Sequence, residues 1–179
     1  PSAAQGRGPG GYDEMLARMK ETVPVPPELK WDLFVGPAPF RPYHPMYTPL
    51  TWRSWRDFGT GVLGDHGSHF LDPVFTALDL GLPSSIEGDT DPEYGPEQAA
   101  QLFPRQATVR YTFPARGKLP AVTVVWNAGR MPPLPKGWKQ DEQFPTSGGM
   151  FFGSKGTLMF GSIYQGKVLM KLINRETGN

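Results

Sequence analysis

Between Trp52 and Asp72 the chain gathers two of its three histidines, three carboxylates (Asp57, Asp65 and Asp72), two arginines and two tryptophans. Those residue types suit proton transfer and hydroxyl recognition. If residues 65–80 form a helix, Asp65 and His69 stand four positions apart on one face, roughly 5–6 Å apart at Cβ. A carboxylate at that distance orients an imidazole and favours its protonated form, and imidazole ordinarily titrates near neutral pH. His69 and Asp65 are therefore the candidate catalytic acid/base pair. In the plainer reading Asp65 caps a helix start and His69 is a satisfied, partly buried polar residue. The surrounding Gly59, Gly61, Gly64 and Gly67 permit close approach of a ligand or of another stretch of backbone.

Trp52, Arg53, Trp55 and Asp57, just before this segment, are candidate substrate-binding residues, with Arg56 among them. Aromatic rings stack on the C–H faces of a sugar or polyol, and charged groups fix its hydroxyls. The alternative puts the tryptophans in the core and the charges on the surface. His44, in Arg41-Pro42-Tyr43-His44-Pro45, is a further candidate on the preceding loop. His66 and His69 with Asp65 and Asp72 have the spacing to face one metal ion, but the His-Glu-x-x-His pattern is absent and no metal is expected. Gly161 to Lys167 mimics a phosphate loop. It has Val168 where a Mg²⁺-binding Ser or Thr is needed, so a hairpin turn is the reading.

The elements that must hold these residues follow from periodicity. The apolar segment after Gly61 predicts the central helix, in which Pro73 is awkward because it cannot donate to the carbonyl of His69. Either the helix bends there, which keeps Asp65 and His69 on one face, or it starts late with Pro73 in its first turn. Gly81-Leu82-Pro83 supplies stop signals. Ahead of it, Tyr12 to Glu21 predicts a short amphipathic helix. Val23 to Pro49 is proline-rich and predicts an extended ribbon packing Trp31, Phe34, Phe40, Tyr43 and Tyr47 onto a larger body. Gln106 to Phe113 and Pro120 to Asn127 alternate as half-buried strands, Met150 to Phe160 reads as two strands joined at Gly153 to Gly156, and Lys167 to Ile173 completes a meander. Met131 to Thr146 is a polar loop long enough for a lid or contact arm. The expected class is α+β, an open and mostly antiparallel sheet with helices on one face. Residues 1–28 are expected as a flexible lead-in with a short helix, and 29–179 as the folded domain.

The 18 Lys and Arg against 17 Asp and Glu leave no basic stripe, so no nucleic-acid partner is expected. The chain has no cysteine, which removes disulfides and thiolate zinc sites and fits the cytosol or an exported, disulfide-free protein of the bacterial periplasm. No apolar run reaches the roughly 20 residues of a membrane span, and no membrane partner is expected. With 22 Gly and 21 Pro the chain is loop-rich but keeps enough apolar residues for a core. Gly6-x-Gly8-x-Gly10-Gly11 has no preceding strand and is rejected as a dinucleotide turn. A start at Pro1 suggests a processed or truncated product.

Several stretches resemble the Gfo/Idh/MocA family of NAD(P)-dependent sugar and polyol oxidoreductases, in particular the C-terminal domain of a bacterial subgroup. Trp31-Asp32-Leu33-Phe34-Val35-Gly36-Pro37-Ala38-Pro39 is similar to its domain-entry motif. Arg41 to Pro45 and Trp52 to Gly61 are similar to the loop before its catalytic helix. Leu63-Gly64-Asp65-His66-Gly67-Ser68-His69-Phe70-Leu71-Asp72 resembles that helix, and Phe152 to Leu158 a glycine hairpin of its sheet. The resemblance implies a domain whose sheet face commonly mediates homo-oligomerisation and whose Asp-x-x-x-His pair projects into the cleft toward a Rossmann domain. It implies that His69 is the general base for a substrate hydroxyl and that Asp65 orients it or binds the same hydroxyl.

The family's Glu-Lys-Pro motif and a dinucleotide fingerprint after a strand are both missing from this sequence. The chain therefore resembles the C-terminal half alone. NAD or NADP would be bound mainly by an N-terminal Rossmann domain, and no turnover is expected without it. Two other readings remain: a non-catalytic module for sugars or oligomerisation, and an NAD-dependent glycoside hydrolase of the same family.

Overall fold

The structure is a computed structural model that describes residues 16–133, 147–161 and 170–174. The chain divides into two compact units, one within Ala3–Arg130 and the other within Met131–Asn179. The first unit runs through α1 (Trp31–Val35), two 3₁₀ turns (Pro45–Tyr47 and Thr51–Ser54), α2 (Gly61–Leu78), β1 (Ser85–Thr90), α3 (Pro96–Gln101), β2 (Ala107–Phe113) and β3 (Val122–Ala128). The second holds β4 (Gly148–Phe152), β5 (Gly156–Gly161) and β6 (Met170–Asn174).

The proline-rich ribbon builds the core. Prolines cannot donate to a ladder, so this stretch folds into short turns instead of strands. Its rings converge on Trp31: Phe34 stacks on it at 5.1 Å, Tyr43 meets it edge-on at 5.2 Å, and Tyr47 stacks at 5.8 Å. Trp55 closes against Tyr47 at 4.7 Å. Both buried indoles are satisfied, Trp31 Nε1 donating to the Arg41 carbonyl at 2.8 Å and Trp55 Nε1 to that of Met46 at 2.9 Å. Of the five expected aromatics, Phe40 departs. In extended backbone neighbouring side chains alternate, and Arg41 is the one turned inward, so Phe40 lies outward and 75% exposed. Leu16, Met19 and Val23, expected within the flexible lead-in, pack against this core.

Helix α2 starts at Gly61 and continues through Pro73, so the late start is not what forms. Pro73 sits on the exposed side, where water can hydrate a carbonyl that lost its helical donor, and this lowers the cost of an interior proline. Leu63, Gly67, Phe70, Leu71, Val74 and Leu78 form the covered stripe, while Ser68, His69, Asp72 and Thr76 are exposed. The helix ends at Leu78, ahead of the expected glycine, because Asp79 takes the left-handed conformation (φ 49°) that Asp tolerates. Arg116 then donates to the Leu78 carbonyl at 2.8 Å.

The covered stripe faces a three-stranded antiparallel sheet of order β1-β2-β3. Val109 pairs with Trp126, Tyr111 with Val124 and Phe113 with Val122, so one face carries the large side chains. Phe70 meets Trp126 at 6.3 Å and Phe75 meets Phe113 edge-on at 5.4 Å. The second unit is a separate three-stranded antiparallel sheet, β4-β5-β6, turned at Gly153 to Gly156. The α+β class with antiparallel strands is therefore present, but the single expected sheet is replaced among the described residues by two. A long proline-containing stretch separates β3 from β4 in sequence.

Residues 1–15, including most of the lead-in and the start of the first expected helix, lie outside the described residues, and residues 16–18 are helical. The expected lid at 134–146, the turn at 162–169 and the first part of the last expected strand also lie outside them. No helix among the described residues is long and apolar enough to cross a membrane.

Candidate active site

Two backbone contacts fix the loop that carries the charged residues. Phe103 N–H donates to the Ser54 carbonyl at 2.8 Å, and Arg56 N–H donates to that of Gln101 at 2.9 Å. This short antiparallel bridge drives Trp55 into the core, where it has no exposed surface. The chain then turns, with Gly59 N–H donating to the Trp55 carbonyl at 2.8 Å. Gly59 is required there, because a Cβ would meet the Arg53 Cα at 2.5 Å and its carbonyl oxygen at 2.7 Å. Gly61 starts the helix with φ 67°, and a Cβ on it would meet the Phe103 ring at 2.7 Å. The glycines expected to admit a ligand or backbone thus admit protein.

Asp65 stands in the second turn of α2. Its Oδ2 lies 2.7 Å from Arg53 Nε and 3.3 Å from His66 Nε2. The Arg53 N–H does not point along the line to that oxygen, so the contact is one of charge and not an aligned hydrogen bond. Arg53 is held twice more: its guanidinium lies 5.3 Å from the centre of the Trp52 ring, and Nη1 donates to the Leu50 carbonyl at 3.2 Å. His69 follows one turn beyond Asp65. At 100° per residue the two share the face of α2 turned away from the sheet, with Asp65 half-buried and His69 exposed.

The other expected site residues go elsewhere. His44 is 1% exposed, and its Nδ1 accepts the Met46 N–H at 3.1 Å. The neutral ring therefore carries its proton on Nε2, which lies 3.7 Å from a Glu21 carboxylate oxygen. Asp57 pairs with Arg41, whose guanidinium is flanked by Tyr47 at 5.4 Å and Phe58 at 5.5 Å. As placed, His44 and Trp55 offer no surface to a ligand, and Asp57 is occupied by Arg41. The structure thus brings Trp52, Arg53 and Asp65 together one turn from His69, sets His44 and Trp55 in the aromatic body, and leaves Asp57 on Arg41 at its margin. Local periodicity carries no signal for Phe103, which packs on Gly61 from a distant loop, or for the Arg53–Asp65 contact itself.

A surface cleft of about 590 Å³, lined by Leu16, Met19, Phe40, Arg41, Tyr47 and Gln101 among others, lies against the aromatic body and does not contain Asp65 or His69. The catalytic candidates stand instead on an open helix face. Among the described residues no three His, Asp or Glu side chains gather as a metal-binding group.

The sequence model of an oxidoreductase family's C-terminal alpha/beta domain, of the Gfo/Idh/MocA group, matches residues 15–116. That is more than half of the chain and includes every candidate residue above. No curated protein matches the sequence.

Proposed function

The chain belongs to this oxidoreductase family as its C-terminal domain, and we propose that it is the substrate-binding and catalytic half of an NAD(P)-dependent enzyme acting on a sugar or polyol hydroxyl. One observation carries the reading. Asp65 and His69 stand a turn apart on the uncovered face of α2, inside the matched region, with the carboxylate already held from the loop before the helix.

The glycines around the start of α2 leave no room for a dinucleotide pyrophosphate. Their space is filled by the Arg53 backbone and the Phe103 ring. NAD or NADP is accordingly assigned to an accompanying Rossmann domain, whose nicotinamide supplies the hydride acceptor. What this chain contributes is the proton acceptor and the orientation of the alcohol. His69 takes the hydroxyl proton as general base, with its exposed ring able to pass it to solvent. Asp65 accepts a hydrogen bond from the same hydroxyl or from the imidazole and so fixes their approach. Trp52, half-buried beside Arg53, offers an aromatic surface to the C–H face of a sugar.

The test is hydride transfer by this chain joined to its cofactor domain. His69→Ala should lower kcat by about a hundredfold or more, the scale of a lost general base. A near-parental rate would remove His69 from the mechanism.

A further inference from the structure

We propose that Arg53 is a positioning residue for Asp65 and not a contact to substrate, an inference that rests on the assignment of Asp65 and His69 above. Three of the guanidinium's surfaces are committed inside the protein. Nε lies 2.7 Å from Asp65 Oδ2 as a charge contact, Nη1 bonds the Leu50 carbonyl at 3.2 Å, and the guanidinium lies 5.3 Å from the centre of the Trp52 ring. The side chain is only 18% exposed, so little of it remains for a ligand. Arg53 is also fixed at its root. The backbone at this residue is the surface against which Gly59 packs, and any side chain at Gly59 would collide with main-chain atoms that have no rotamer to escape into.

Asp65 is the residue that needs such support. It sits on the outer side of α2, away from the sheet whose packing fixes the residues of the covered stripe. Arg53 Nε and His66 Nε2 both approach Oδ2, at 2.7 and 3.3 Å, which leaves Oδ1 as the oxygen an incoming hydroxyl would meet. The turn at Gly59, the fixed guanidinium and the carboxylate thus form one chain of support running from the loop into the helix. Trp52 belongs to it as the plate on which the guanidinium rests. Such support matters because a displacement of about 1 Å at a reacting group costs up to roughly a hundredfold in rate.

The test reads the Asp65 side chain directly. In the 179-residue chain, three-bond NMR couplings about χ1 of Asp65 should report one rotamer in the parent and in an Arg130→Met control, which breaks the separate Asp89–Arg130 pair. They should report averaging in Arg53→Met. Gly59→Ala, which leaves every charge in place but displaces Arg53, should produce the same averaging. Arg53→Lys, which keeps the charge and loses the fork, should restore part of the single-rotamer signal and guards against a variant that fails to fold. In the chain joined to its cofactor domain, Arg53→Met should lower kcat by about tenfold with KM for the alcohol little changed. A single Asp65 rotamer in Arg53→Met, or a raised KM with kcat preserved, would overturn the proposal and return Arg53 to the substrate. If the parent transfers no hydride at all, the assignment of His69 fails by itself, and the rotamer measurement still decides the role of Arg53.

Discussion

Two arginine–carboxylate pairs lie within a few residues of one another in sequence and do different things. Arg41 and Asp57 pair with the guanidinium flanked by Tyr47 and Phe58, at the margin of the aromatic body. Arg53 and Asp65 pair beside Trp52, with the carboxylate on a helix face one turn from His69. The chemistry of the two is the same: a planar cation over an aromatic ring, opposite a carboxylate. Their surroundings separate them. The first carboxylate comes from a loop and ties that loop to rings already buried. The second comes from a helix whose apolar stripe faces the sheet, so it stands on the face that also carries the exposed His69. Composition cannot separate the two pairs, whereas the element that presents the carboxylate does.

The sharpest way to break this contrast is to attack the body itself. Trp55 is fully buried, meets Tyr47 edge-on and donates its indole N–H to Met46. Trp55→Ala should cost about 3–5 kcal/mol, the usual scale for removing a large buried aromatic, measured by denaturant unfolding. A loss below about 1 kcal/mol would mean that the rings are not the core that holds the loop.

Neutralising each acid then compares the pairs directly. Asp65→Asn should lower hydride transfer by about a hundredfold, in the chain joined to its cofactor domain, while changing stability by less than about 1 kcal/mol. Asp57→Asn should leave activity retained and likewise cost less than about 1 kcal/mol in stability, because the Arg41–Asp57 pair is no more buried than the Arg53–Asp65 pair. Equal effects of the two substitutions on hydride transfer would erase the distinction.

Sequence patterning reached these regions unequally. Helix α2, β2 and β3 are legible because each has a covered side and an open side, and that asymmetry is what periodicity records. Strand β1 is not legible. All six of its residues are exposed, it carries Glu87, Gly88 and Asp89, and it is a strand only because β2 offers it a ladder. Helix α3 is six residues long, too short for a period, and is started by Pro96 and the Gln98 side chain accepting the Gly95 N–H. At the site, the spacing of Asp65 and His69 was readable because it lies within one helix. The sorting of Trp52 from Trp55, and of Asp57 from Asp65, was not. Trp55 turns inward because strand-like bonds to Gln101 and Phe103 set the pleat of residues 54–56, and those partners lie more than forty positions away in the chain.

The smallest expected effect concerns the sheet face beneath α2, and it asks whether that face is dry as the aromatic body is. Tyr111 stands on this face opposite Val124 and Ile86, and burial holds its phenol above the ordinary value of 10.0. The phenol therefore stays protonated in the folded chain at a pH where the unfolded chain has already lost the proton. Below pH 10 both states are protonated and the group adds no pH dependence. As pH rises past 10.0 toward the folded value, the unfolded state binds fewer protons and stability falls. Tyr111→Phe should remove that part of the alkaline loss while leaving the curve near neutrality unchanged in shape. Spectrophotometric titration should show one phenol fewer among the late-ionising tyrosines. An unchanged alkaline limb would mean that water reaches the sheet under α2, and that the helix is held by its ends and by Phe70 and Phe75 more than by a sealed face.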